Sequence, residues 1–133
     1  MSGYLGSIGF ALPAALGAFA AVEHERPIIA VAGDGGICQY LAELTTAVKY
    51  NIPIKVIVLN NNELGKISKE QRSGELDVWA TDLSNPEFSE YAKGCGAKGL
   101  LVTQHDQLNA AMQELINHNG PALLEVKTDV ELI

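Results

Sequence analysis

Apolar and polar positions alternate along the chain in two rhythms. Leu12 to Val22 is rich in Ala and carries Pro13 in its first turn, a pattern that predicts a helix. Pro27 interrupts it. Ile28 to Ala32 is a short continuous apolar run, which predicts a buried strand. Gly33-Asp34-Gly35-Gly36 reads as a tight turn. Ile37 to Tyr50, with apolar residues at 37, 41, 44 and 48, predicts a helix. After Pro53, the β-branched run Ile54 to Leu59 predicts a second buried strand, ended by Asn60-Asn61-Asn62. Leu64 to Gln71 predicts a short helix and Arg72 to Leu83 an exposed loop. Ser84-Asn85-Pro86-Glu87 has the form of a helix start, with Pro at the first helical position and Glu three residues after Ser. Gly94-Cys95-Gly96 ends that helix. Gly99 to Val102 predicts a third strand. Asp106 to Asn117, apolar at 108, 111, 112 and 115, predicts another helix. Gly120-Pro121 ends it, and Ala122 to Val126 predicts a fourth strand.

Strands separated by helices of this length make βαβ units, so the expected fold is α/β, a doubly wound, mostly parallel sheet flanked by helices. Such sheets bind ligands beyond the carboxyl ends of their strands. Two of these ends carry unusual polar residues: Gly33-Asp34-Gly35-Gly36 and Asn60-Asn61-Asn62. Consecutive strands usually pair, which would bring the two turns side by side.

Composition narrows the ligand. The 133 residues are 47% hydrophobic and 19% charged, enough to bury a core within one domain. Nine Lys and Arg against sixteen Asp and Glu give a formal charge of −7. No basic stripe is present to neutralise phosphates, so a nucleic-acid partner is not expected. Cys38 and Cys95 lack metal-ligand spacing, and no disulfide scaffold is expected; a reducing, cytoplasmic setting is the default. The longest uncharged, mostly apolar run, Phe10 to Val22, has thirteen residues. That is short of the roughly 18–20 that span a bilayer. No signal peptide or membrane segment is read in this chain.

A Gly-rich turn at a helix start presents N–H groups that suit a phosphate. A carboxylate in the same turn repels a phosphate unless a cation lies between them. Asp34 therefore points to a metal, and oxygen ligands beside phosphate point to Mg²⁺. Taken alone, the turn is equally a plain βα connection in which Asp34 caps the next helix. Three consecutive Asn at a strand end add neutral oxygen donors and make the metal reading more economical, although Asn also tolerates left-handed turns. The dinucleotide fingerprint fits less well, because Cys38 stands where its third Gly belongs. Gly65-Lys66-Ile67 is no phosphate-binding P-loop.

Gly33-Asp34-Gly35, twenty-four further residues and then Asn60-Asn61 resemble the diphosphate and metal motif of thiamine diphosphate-dependent enzymes. The stretch from Ser2 to Ala18 resembles the start of the domain core in acetolactate synthases and pyruvate oxidases. Asn61 to Gln71, Asn85-Pro86 and Gly120 to Val126 are similar to the C-terminal domain of the same group. The Glu63 to Ile67 segment leans toward the pyruvate oxidases.

The resemblance implies a single thiamine diphosphate-binding domain over residues 1–133, a fragment of a larger multidomain enzyme whose family domain begins before Met1. It implies Asp34, the Asn61 side chain and the Glu63 carbonyl as Mg²⁺ ligands. The N–H groups of Gly35, Gly36, Leu64 and Gly65 would face the diphosphate. The Gly6 carbonyl would meet the cofactor's 4′-amino group, and Ile8 would be the apolar wedge that bends the cofactor; core packing is the other reading of Ile8. No catalytic residue is assigned in this chain, because the family's glutamate lies on the pyrimidine-binding domain of a partner subunit in a homo-oligomer. FAD, where the parent enzyme has it, would sit on another domain. The implied parent decarboxylates a 2-oxo acid, pyruvate, and oxidises the enamine that results, as pyruvate oxidases do. The alternative is an acetolactate synthase-type carboligase. A non-catalytic Mg²⁺-diphosphate binding module is an alternative of another class. The fragment alone is expected to be inactive and to self-associate through a face its partner domains would cover. Lys66 reads as a solvated helix residue, and His24, His105 and His118 as surface residues.

Overall fold

The computed structural model describes residues 6–22 and 26–132. The first residues of the Ser2 to Ala18 stretch, up to Leu5, and His24 lie outside the described residues. Four strands form one fully parallel sheet: β1 (Ile29–Gly33), β2 (Lys55–Asn60), β3 (Lys98–Val102) and β4 (Ala122–Lys127), in the order β1-β2-β4-β3. The helices are α1 (Ala11–Ala21), α2 (Asp34–Ile37), α3 (Leu44–Lys49), α4 (Gly65–Ser73), α5 (Phe88–Gly94) and α6 (Leu108–Asn117). The α/β fold expected from the sequence is the fold observed.

Strand side chains alternate between two faces. Ala30, Val56, Val58 and Leu123 pack against Leu12 and Ala15 of α1, Leu44 and Ala47 of α3, and Phe88 and Ala92 of α5. Leu100, Val102, Ala122, Leu124 and Val126 face the other way and are covered by Leu108, Ala111, Met112 and Leu115 of α6, the apolar positions read from the sequence. That helix reaches only the β3–β4 side. Ile29, Val31 and Leu59 lie on its face of the sheet, and all are more than 40% exposed.

Two predicted elements differ. Ile37 to Tyr50 is not one helix but the end of α2, a turn, a 3₁₀ turn at Leu41–Glu43 and then α3. Tyr40, at φ −130° and ψ 20°, leaves the helical region. Its ring lies against Gly9, where a Cβ would come within 2.5 Å of it. This tertiary contact outweighs the local apolar period. The predicted capping box at Ser84–Glu87 is also absent. Helix α5 starts at Phe88, and its N-cap Glu87 caps with no side chain. Asn85, preceding Pro86, is biased away from helical backbone, and the Asn85 side chain is drawn into the site described next.

Candidate functional site

Pairing of β1 with β2 sets Gly33 beside Leu59 and brings the two polar turns together. Asp34 opens α2 and is 3% exposed. Its Oδ1 accepts the Gly35 N–H at 3.0 Å, and its Oδ2 accepts the Asn85 amide at 2.8 Å. The same Asn85 nitrogen lies 3.2 Å from Asn60 Oδ1 and 3.3 Å from Asn62 Oδ1. Asn85 Oδ1 accepts the Cys38 thiol at 3.7 Å. Burial, and then the Asp34 charge, push that thiol above its ordinary value. Three oxygens from two strand ends thus meet on one amide nitrogen.

Among the described residues Asp34 makes no ion pair. A buried carboxylate matched only by amides is short of one positive charge, and the Asn60 and Asn62 oxygens share one of those amides with it. This donor set fits a hard divalent cation. No three His, Cys, Asp or Glu side chains cluster as metal ligands among the described residues. A cation here would therefore depend on amide, carbonyl and cofactor oxygens beside Asp34.

The Asn triplet forms two overlapping side-chain turns. Asn60 Oδ1 accepts the Asn62 N–H, and Asn61 Oδ1 accepts the Glu63 N–H, both at 3.1 Å. Asn62 takes a left-handed φ of 57°, which Asn tolerates. The structure therefore gathers Asn60 and Asn62 around Asp34 and Asn85, with Asn61 turned toward its own backbone. Returning chain covers this turn: Leu83 N–H donates to the Asn62 carbonyl, and Leu64 N–H donates to the Thr81 carbonyl at 2.7 Å. The expectation that the Leu64 N–H faces a diphosphate is not met, because that group is already engaged. Gly65 is the first residue of α4, where an N–H has no partner within the helix. The Glu63 side chain accepts Ser68 Oγ at 2.6 Å and Thr81 Oγ1 at 3.2 Å, with Arg72 at 3.5 Å. The Ser68 hydroxyl above all holds the Glu63 carboxyl below its ordinary value; desolvation opposes this, and Thr81 and Arg72 add to it.

Gly35 and Gly36 lie between two walls. A Cβ on Gly35 would come within 2.7 Å of Leu64 Cδ2 and 3.2 Å of Leu83 Cδ1. A Cβ on Gly36 would lie 3.8 Å from Ile8 Cγ2. Gly6 and Gly9 have positive φ, and among the described residues nothing lies within 4 Å of a Cβ position on Gly6. Ile8 is 60% exposed beside Gly36, so it is no core residue within this chain. Lys66 is solvated, 3.9 Å from Glu70. His105 is exposed, and His118 is half-buried at the end of α6.

Two residues of the site were given no functional role in the sequence reading. Asn85 precedes Pro86, and Glu125 is a lone charge in the apolar run Ala122 to Val126. A charge in a strand that should be buried on both faces is a signal in itself, because such residues are almost never fully buried unless paired.

An open parallel sheet with an acidic turn and amide oxygens at its carboxyl edge defines an α/β domain for a phosphate-bearing cofactor. Residues 1–126 match the family model described as the thiamine pyrophosphate enzyme C-terminal TPP binding domain, and the chain belongs to that family. It is 41% identical over 127 residues to a Bacillus subtilis protein whose name describes it as thiamine pyrophosphate-containing, covering 95% of this chain and 22% of that protein. It is 41% identical over 129 residues to the mitochondrial acetolactate synthase catalytic subunit of Aspergillus candidus, covering 96% of this chain and 18% of that one. It is 34% identical over 127 residues to the Escherichia coli acetolactate synthase isozyme 2 large subunit, covering 94% and 23%. The chain thus spans about a fifth of the length of these relatives.

Proposed function

We propose that this chain supplies the diphosphate-binding side of a thiamine diphosphate-dependent enzyme acting on pyruvate, and that the enzyme is a carboligase of the acetolactate synthase type. The observation that carries the cofactor reading is the buried Asp34, without an ion pair among the described residues and sharing the Asn85 amide with the Asn turn, within a domain of this family. Carboligation is preferred because two of the relatives given above are named acetolactate synthases. This moves the preference away from the pyruvate oxidation first expected. Oxidation stays as the second reading on one observation, the Glu63 to Ile67 segment, which resembles the oxidases.

In this reading Asp34, the Glu63 carbonyl and the Asn61 side-chain oxygen hold Mg²⁺, the Asn61 oxygen using the lone pair that its bond from the Glu63 N–H leaves over, with Asn60 and Asn62 beside them. The N–H groups of Gly35, Gly36 and Gly65 face the diphosphate. Gly6 offers its carbonyl to the pyrimidine, and exposed Ile8 is the apolar support under the cofactor. Thiamine diphosphate, when bound, supplies the nucleophilic carbon and electron sink that 2-oxo acid chemistry needs. This chain's residues bind, orient and neutralise charge, while the pyrimidine-facing acid belongs to a partner subunit in a homo-oligomeric, multidomain, cytoplasmic enzyme.

Titration calorimetry with thiamine diphosphate, with and without Mg²⁺, tests the reading. Binding is expected only with Mg²⁺ and is lost in Asp34→Ala. Binding that ignores Mg²⁺ or survives the substitution overturns the site. Acetolactate formed from pyruvate by the full-length protein supports carboligation; reduction of an electron acceptor without acetolactate selects oxidation.

A further inference from the structure

The carboxylate of Glu125 is the most thoroughly enclosed charge at this end of the sheet. It is 0% exposed, on the α5 face of β4. Its Oε1 accepts Lys127 Nζ at 2.6 Å and Asn60 Nδ2 at 2.7 Å, and its Oε2 accepts the Ser89 N–H at 3.1 Å. Lys127 also reaches Glu87 at 3.2 Å. A buried ion pair of this kind is weak grounds for stability, since desolvation offsets most of its attraction. Its geometry has a different consequence.

We propose that Glu125 is a positioning residue for the cofactor-facing turns, acting through Asn60 and through the start of α5. An amide side chain can present either end to its surroundings, whereas an ionised carboxylate only accepts. Glu125 therefore takes the NH₂ end of Asn60 and turns its oxygen the other way. There the oxygen accepts the Asn62 N–H and the Asn85 amide. The second Glu125 oxygen holds Ser89, in the first turn of α5, where the helix has unpaired N–H groups and favours a negative charge. The segment leading into that turn carries Asn85, whose amide binds Asp34. One carboxylate thus fixes both arms that converge on Asp34: β2 through Asn60 and the 85–89 segment through Ser89. It touches none of the groups proposed to hold metal or cofactor.

Glu125→Gln is the direct test. Glutamine cannot accept from Lys127, Asn60 and Ser89 together. If its NH₂ end faces Asn60, that side chain must turn over and oppose donors at Asn62 and Asn85. The control is Leu115→Ala, a core truncation on the opposite face of the sheet that leaves the network intact. In ligand-free protein, the side-chain amide NMR signals of Asn60 and Asn85 are expected to shift and lose exchange protection in Glu125→Gln and to keep both in Leu115→Ala. Thiamine diphosphate binding in the presence of Mg²⁺ is expected to weaken about 10- to 100-fold in Glu125→Gln, and to hold in the control at a temperature where both are folded. Unchanged amide signals, or equal losses of affinity in both variants, overturn the proposal. If Glu125→Gln does not fold, Asn60→Ala replaces it; it must reproduce the Asn85 changes, and an unaltered Asn85 signal overturns the proposal. The binding half of this inference rests on the thiamine diphosphate reading. If wild-type protein binds no cofactor that reading fails, while the ligand-free spectra still decide the role of Glu125.

Discussion

His118 and Glu63 sit at opposite edges of the sheet, and each ties stability to pH through its own surroundings. Burial, with the charges of Lys55 and Lys98, holds the His118 imidazole below its ordinary value, and Glu114 opposes this. Protons then bind the unfolded chain more readily than the folded one, so stability rises with pH across that window. It falls as pH drops below about 6.5, the ordinary histidine value. Glu63 behaves as a depressed carboxyl: its contribution is full above about 4.3 and is lost as pH falls through its lower folded value. Urea unfolding at a series of pH values should show a loss of stability below the histidine range and a further loss in the carboxylate range, and His118→Asn should remove only the upper one. At this scale the sequence displayed Asp34 and the Asn triplet. It did not show that Asn60 and Asn62, rather than Asn61, share the Asn85 amide with Asp34. That choice depends on Glu125 and Asn85, which are far off in the chain and adjacent in space.

Element against element, α5 and β3 meet closely at Gly99. A Cβ on Gly99 would fall 1.9 Å from the Ser89 carbonyl oxygen and 2.8 Å from its carbon. These are backbone atoms and cannot swing aside. Gly17, within α1, has nothing within 4 Å of its Cβ position. Gly99→Ala is therefore expected to lower unfolding free energy by about 1–3 kcal/mol or more, and Gly17→Ala to raise it by up to about 1 kcal/mol. Denaturant titration of the pair checks both signs. All four strands and the apolar stripe of α6 were legible because apolar runs and periods are local properties. The break at Tyr40 and the late start of α5 were not. Each involves a partner remote in sequence: Gly9 against the Tyr40 ring, and Asp34 holding the Asn85 side chain.

For the molecule as a whole, the uneven covering of the sheet is the feature with the largest consequence. Helix α6 leaves Ile29, Val31 and Leu59 in solvent on one face, with Val31 55% exposed. Clustered exposed apolar side chains mark surfaces that associate. The chain is expected to self-associate as its concentration rises, and Val31→Lys is expected to shift it toward monomer. Sedimentation velocity over a range of concentrations measures this; a monomer at every concentration would remove the basis for it. Among the described residues no helix is long and apolar enough to cross a membrane.

The sequence by itself determined the parallel α/β fold, the two polar turns at its carboxyl edge and the family. All three are written in local runs, turn residues and fixed spacings. Only the tertiary structure decided which oxygens face one another, which N–H groups are already engaged and which carboxylate orients the Asn turn. Hydrogen bonds depend on distances of a few tenths of an ångström, and those distances are set when residues 34, 60, 85 and 125 are packed together.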